Sequence, residues 1–259
     1  MSLFDSIKNN FNLDIISIVK NDESSDGNVY NIITADDKYI LKIYDDLDKA
    51  NNMIDIYNYL NELYVPRIIL TKNNEYLFKF DNKYVIVYSF LAGMKVSELI
   101  RNNLYSNDII ISIAKEVRKL HDLTLNKKFN FNMIDFANNL KRKSVLHFDL
   151  TKDNIFISNN QIGFIDFDDA KYGDSVCDIA ILLSFLFISK KRGVDNEGIK
   201  LFLDNYYTES EVQLRNEETS YIKKYIKCWI DYLLDGHCFD SSLKDSFDFK
   251  KASADKLDI

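Results

Sequence analysis

The stretch from Ser144 to Ala170 constrains this chain more than any other. Asn154-Ile155-Phe156-Ile157-Ser158 and Gln161-Ile162-Gly163-Phe164-Ile165 are short apolar runs rich in β-branched and aromatic residues, with Asn159-Asn160 between them. That pattern predicts a β-hairpin. Asn154 opens the first strand and Asp166 follows the second, so antiparallel pairing brings both to one end. His147-Phe148-Asp149-Leu150 lies just before the first strand, which lets Asp149 reach the same point. Three oxygen-bearing side chains are therefore expected to converge.

Read together, the residues spell H-x-D-x-x-x-x-N, a short connection, and an apolar run ending in Asp. This is the pattern of a kinase catalytic loop and metal-binding turn. Phosphoryl transfer from a nucleotide asks little of a protein beyond a carboxylate to meet the attacking hydroxyl and oxygen ligands to hold Mg²⁺ against the phosphates. Asp149 suits the first task, and Asn154 and Asp166 the second. His147 is expected to support the loop by hydrogen bonding. Asp168 and Asp169 follow the metal Asp; one of them is a candidate for a second metal or a cationic substrate, and Asp169 reads equally as the start of the next turn. Lys152, inside the loop, is a candidate for the γ-phosphate, with a solvated lysine as the favoured reading.

At these residues the sequence resembles the aminoglycoside phosphotransferase and choline kinase superfamily, the protein-kinase-like small-molecule kinases. The shared segment is H-F-D-L-T-K-D-N, then I-D-F-D-D-A-x-Y-G-D-x-x-x-D-I-A, ending at Asp178-Ile179-Ala180. The resemblance runs from about Asn28 to about Phe187 and implies roles for other residues. Lys42, in Tyr39-Ile40-Leu41-Lys42-Ile43-Tyr44, is similar to the lysine that holds the α and β phosphates. Asp26-Gly27-Asn28 is similar to the turn over the nucleotide. Tyr84 to Gly93 resembles the last N-lobe strand and hinge, where main-chain groups near Ser89 and Phe90 would meet the adenine edge. Leu120-His121 ends a helix as the family's Leu-His pair does. Asp178 resembles the family's buried Asp, which props the catalytic loop from below. Asp231 and Asp235 fall in the region that lines the family's acceptor pocket; the same segment also reads as an ordinary amphipathic helix with Trp229 in the core. Three departures stand out. Phe148 replaces the usual glycine between His and Asp. The nucleotide loop has a single glycine, Gly27. The helix after Lys42 offers Asp48 and Asp55 but no Glu as an ion-pair partner.

A chain of 259 residues fits one large domain or two lobes. Its net charge of -7 argues against nucleic acid as the main partner. Cys177, Cys228 and Cys238 are too few and scattered for a disulfide frame or a zinc site. The N-terminus lacks a basic-then-apolar signal, and no apolar run reaches the length of a membrane span. A cytoplasmic location and no membrane partner are the expectation.

Alternating patterns predict strands over Asp14–Val19, Asn28–Thr34, Lys38–Tyr44, Glu75–Phe80 and Tyr84–Phe90. Met53, Ile54, Ile56, Tyr57, Leu60 and Leu63 predict one main helix, ended by Pro66. After Gly93 the spacing turns helical over Val96–Ile100, Ile109–Leu123, Phe131–Leu140, Asp178–Ile188, Glu197–Tyr207 and Glu211–Leu234. The charged tail from Asp240 reads as frayed. The expected fold is α+β and bilobal, protein-kinase-like: an N-lobe over 1–90 with a small antiparallel sheet that binds nucleotide, and a mainly helical C-lobe over 91–259 with the catalytic hairpin, metal site and acceptor pocket.

The expected activity is transfer of the γ-phosphate of ATP or GTP, with Mg²⁺, to a hydroxyl of a small and cationic acceptor. Asp166 and Asp178 are only about a dozen residues apart, a connection-sized gap without room for a peptide platform, which speaks against a protein kinase. A nucleotide-binding pseudokinase is the alternative from another class; a choline, amino-alcohol or sugar kinase of metabolism is a third reading. The acceptor, the choice of ATP or GTP, the partner of Lys42 and a monomeric or dimeric state stay open on sequence.

Overall fold

The computed structural model describes residues 2–22, 27–127, 133–134, 140, 142–237 and 243–259. They fall into two compact units, Met1–Ala92 and Gly93–Ile259.

The first unit runs α1 (Leu3–Asn10), β1 (Ile15–Lys20), β2 (Val29–Thr34), β3 (Lys38–Tyr44), α2 (Leu47–Tyr59), β4 (Phe78–Phe80) and β5 (Lys83–Ser89). Its strands form one antiparallel sheet in the order β1-β2-β3-β5-β4. Alternation sorts the side chains between the two faces. Leu41, Val85 and Val87 join Ile7 and Phe11 in a core under α1, where Phe11 meets Phe78 edge-on at 5.8 Å. Tyr44 and Tyr88 face the other way; their hydroxyls lie 3.0 Å apart and Tyr57 of α2 packs on Tyr88.

The sequence reading anticipated the five strands and α2 but not α1. The signal was present: Ser2 accepts from the Asp5 amide and closes the first turn with a side-chain cap. Helix α2 stops at Tyr59, well ahead of Pro66. Arg67 explains the stop, because its guanidinium takes the carbonyls of Leu60, Asn61 and Leu63, which an uninterrupted helix would have used.

The second unit contains β6 (Met94–Lys95), α3 (Val96–Arg101), α4 (Asn107–Leu123), β7 (Met133–Ile134), β8 (Lys143–Leu146), β9 (Ile155–Ser158), β10 (Gln161–Phe164), β11 (Lys171–Asp174), α5 (Val176–Leu186), β12 (Ile188–Ser189), β13 (Gly193–Val194), α6 (Asn196–Tyr206), α7 (Val212–Tyr232) and α8 (Lys244–Ser253). Two small sheets, β10-β9-β6 and β7-β11-β8, carry the loop that concerns function. Two glycines permit their close packing. At Gly93, φ is +142° and a Cβ would stand 2.7 Å from the Ile157 carbonyl oxygen; at Gly173 a Cβ would stand 2.3 Å from that of Ile134. Helix α5 is buried almost all round, which fits its apolar sequence, and packs against α7.

Two expectations need correction. Met133–Ile134 is a strand pairing in parallel with β11, not part of a helix; most of the rest of 131–140 lies outside the described residues, as do Asp26 and Cys238. Within its described part, 243–259, the charged tail is not frayed. Helix α8 docks through Phe247 on Trp229, and Lys250 is buried with its ammonium donating to the carbonyls of Ser184 and Ile188. Ion pairs Lys251–Asp231 and Lys227–Asp255 hold its outer side. Among the described residues no helix is long and apolar enough to cross a membrane.

Candidate active site

The hairpin forms as its sequence indicates. Ser158 pairs with Gln161 and Ile155 with Phe164, leaving Asn159-Asn160 as a two-residue turn with φ of 48° and 64°. Both positive values match the turn whose twist suits a hairpin, and asparagine tolerates them. At the open end, the Ile165 amide donates to the Asn154 carbonyl at 3.1 Å, so Asn154 and Asp166 begin side by side.

Asp149 joins them. The Asn154 amide nitrogen donates to the Asp149 carbonyl oxygen at 2.9 Å and to its Oδ2 at 2.8 Å. Asn154 thus turns its donor end to the loop that carries Asp149 and presents Oδ1 as its acceptor end. Burial, with Asp166 and Asp169 nearby, pushes the Asp149 carboxyl up to about 6; His147 and the Asn154 amide pull the other way. Asp166 is exposed and stands in the left-handed region at φ 67°. Asp168 and Asp169 form the turn that follows, Asp169 exposed.

The donor set suits a hard cation, since a carboxamide oxygen and carboxylates are the ligands Mg²⁺ takes. Among the described residues no three His, Cys, Asp or Glu side chains form a closed cage.

The loop is held from below. Asp178, fully buried at the start of α5, accepts the amides of His147 at 2.7 Å and Phe148 at 2.9 Å. His147 itself points its Nε2 at the Ile165 carbonyl, 2.8 Å away, and packs on Phe167. His147 therefore ties the loop to the strand end beside Asp166. Phe148 takes φ 63°, a conformation natural to glycine, and its ring is buried edge-on against Tyr232 at 5.5 Å. The sequence did not mark Tyr232; its place at the end of α7, one turn before Asp235, was the available clue.

The remaining predicted residues are placed as follows. Lys42 is half-buried in β3, paired with Val29 and Ile86, and by alternation lies on the α2 side with Tyr44. Asp48 and Asp55 are both exposed, off the face of α2 that packs on the sheet. Gly27 is exposed and Asn28 accepts the Ile43 amide. The Ser89 amide is already donated to the Arg67 carbonyl at 2.7 Å, and Phe90 after it is exposed. Asp231 is engaged by Lys251, and Asp235 is exposed in a π-type turn over Leu233–His237. Asp149, Asn154 and Asp166 thus come together, while Asp231 belongs to the α7–α8 ion pairs.

Comparison with known proteins follows this geometry. A family model described as phosphotransferase enzyme family matches residues 132–209, the segment holding the loop, hairpin and α5. No curated protein sequence matches the chain. Solved structures match nearly its whole length. A microcompartment-associated aminopropanol kinase is 13% identical with a TM-score of 0.72, over 97% of this chain and 94% of that one. An amicoumacin kinase in complex with AMP-PNP, Ca²⁺ and Ami is 15% identical with a TM-score of 0.69, over 98% and 92%. A spectinomycin phosphotransferase in complex with ADP and spectinomycin is 14% identical with a TM-score of 0.59, over 96% and 93%. At such identities the likeness speaks for the fold, which is the α+β kinase-like fold expected.

Proposed function

Taking this chain as a phosphotransferase of the kinase-like family that its 132–209 segment matches, we propose that it is a small-molecule kinase acting on a hydroxyl of a small, cationic acceptor. The observation that carries this reading is the contact of Asp149 with Asn154 at the open end of the hairpin, beside Asp166. The two solved relatives crystallised with adenine nucleotides support a nucleoside triphosphate as co-substrate.

In this reading Asp149 accepts the proton of the acceptor hydroxyl. The hydroxyl oxygen forms a bond to the γ-phosphorus as the bond to the β–γ bridging oxygen breaks, and the diphosphate leaves. A carboxyl titrating near 6 is ionised at neutral pH and still basic enough to take that proton. Asn154 and Asp166 would hold Mg²⁺, which offsets charge on the phosphates when bound. In the first unit, taken by itself, the resemblance implies Lys42 for the α and β phosphates, the turn at Gly27 and Asn28, and main-chain groups at Phe90; the Ser89 amide is already donated to Arg67. Asp149, Asp166, Asp168 and Asp169 make the site acidic, which favours a cationic acceptor.

The test is nucleotide consumption with Mg²⁺ and ATP or GTP against aminoglycosides, macrolides, choline, ethanolamine, homoserine and simple sugars, with Asp149→Asn as control. Acceptor-dependent turnover that vanishes in the variant is expected. Acceptor-dependent turnover unchanged in the variant would overturn the mechanism. Tight nucleotide binding without turnover on any acceptor would favour a pseudokinase.

A further inference from the structure

Beneath the loop lies a set of buried polar groups that the reaction itself does not touch. His121 on α4 is fully buried. Its Nε2 faces Asp178 Oδ2 at 3.3 Å and its Nδ1 faces the Tyr206 hydroxyl at 2.7 Å. Tyr206, on α6, receives a hydrogen bond from Nη2 of Arg142, which stands just before β8 and is also buried. The Arg142 guanidinium lies over the rings of Tyr206 and Tyr207, 5.1 and 5.9 Å from their centroids, and its Nε is 3.3 Å from Glu218 Oε1. That last approach is an ion pair off the hydrogen-bond line, and among the described residues Nε and Nη1 have no hydrogen-bond partner and Tyr206 is the acceptor the guanidinium uses.

We propose that the Tyr206 hydroxyl, anchored by Arg142, is a positioning group for the catalytic loop, fixing His121 as the Nε2–H tautomer that holds the Asp178 carboxylate. Proton counting leads there. Both Asp178 oxygens act as acceptors, taking the amides of His147 and Phe148, so the His121 nitrogen facing Oδ2 is the one that carries hydrogen. Burial, with Arg142 nearby, lowers the His121 pKa against the pull of Asp178 and Asp122, so the ring is neutral and has only that one hydrogen. Nδ1 is then bare and needs a donor. Arg142 cannot accept, so the single Tyr206 hydrogen is directed to His121. The donors run one way, from Arg142 to Tyr206 to His121 to Asp178, which also accepts the amides of His147 and Phe148. The charged and titratable groups facing His121 are Asp178 from α5, Tyr206 from α6, Arg142 from before β8, and Asp122 on its own helix.

Only the word "catalytic" here rests on the kinase reading; the relay is testable without turnover. The full chain, ¹⁵N-labelled, holds three histidines, so their rings are separable by long-range ¹H–¹⁵N correlation. In the wild type His121 should stay neutral and Nε2-protonated at neutral pH. An Nδ1–H tautomer there would overturn the proposal before any variant is made. In Tyr206→Phe, Nδ1 loses its donor, so His121 should become a mixture of tautomers or protonate on the acid side of neutral. The amides of His147 and Phe148 should exchange with solvent about ten-fold faster, the equivalent of one lost hydrogen bond, while those of Ile181 and Leu182 in α5 keep their rates. Equal acceleration throughout, or none, would reduce Tyr206 to a packing residue. If these results hold and no acceptor is ever phosphorylated, the relay stands and the kinase reading falls.

Discussion

Replacing Phe148 by glycine and by alanine separates two opposing terms at the residue before Asp149. Phe148 has φ 63° and is 4% exposed, its ring packed on Tyr232. Truncating a buried phenylalanine to alanine costs about 3–5 kcal/mol. Alanine keeps the left-handed strain, whereas glycine relieves about 1–2 kcal/mol of it. Glycine also loses about 0.5–1 kcal/mol more backbone freedom on folding. Phe148→Gly should therefore be destabilised, but about 0.5–1 kcal/mol less than Phe148→Ala. This reverses the usual order, in which alanine is the more stable of the two. Trp229 is the only tryptophan, is buried, and lies in the same unit, so its fluorescence follows unfolding of this part of the chain. With a urea m-value of about 3 kcal/mol/M, the two midpoints should differ by about 0.2–0.3 M. Alanine at or above glycine would refute the left-handed turn, and with it the account of how Asp178 grips two successive amides.

Asp149→Asn should retain nucleotide binding and lose about 10²–10⁴ in turnover, measured by nucleotide consumption; full turnover would remove Asp149 from the chemistry. Asp166→Ala should lose the Mg²⁺-dependent part of nucleotide binding in calorimetry, and unchanged Mg²⁺ dependence would count against its role as ligand. Lys250 gives a pH signature. Burial pushes its ammonium down to about 7, helped by Lys152 and Arg192. Between that value and the unfolded 10.5 the unfolded state binds more protons, so this residue's contribution makes stability rise with pH across the window. Lys250→Met should remove that rise, which urea melts at several pH values between 7 and 10 would show; parallel curves for variant and wild type would contradict it.

Local interactions made much of the chain legible. The hairpin at Asn159-Asn160 follows from two short β-rich runs and a residue type that accepts positive φ, and it alone brings Asn154 beside Asp166. Alternation placed β2, β3 and β5, and three- and four-residue spacing placed α4, α6 and α7, because each element needs only its own neighbours to show its buried face. The mix of strands and helices, and the meeting of Asn154 and Asp166 at one hairpin end, were available on that basis; the kinase-like arrangement came from the resemblance of the motifs.

What the tertiary structure decided concerns groups whose partners lie far along the chain. Arg142, Glu218 and Lys250 carry charges that place them at the surface on composition, yet all three are buried. Their partners are Tyr206 and Glu218, Tyr207, and the carbonyls of Ser184 and Ile188. A charge is tolerated inside only where such partners are assembled, and sequence spacing does not reveal that assembly. The same holds for Phe148, whose unusual backbone is stabilised by Asp178 thirty residues on and by Tyr232 at the end of α7. It holds for the tail, where a polar pattern becomes a docked helix once Trp229, Asp231 and the end of α5 are in place. Local pattern is enough to say which residues meet at the hairpin; what holds them comes from long-range hydrogen bonds in a low-dielectric interior, which form only when the chain has folded.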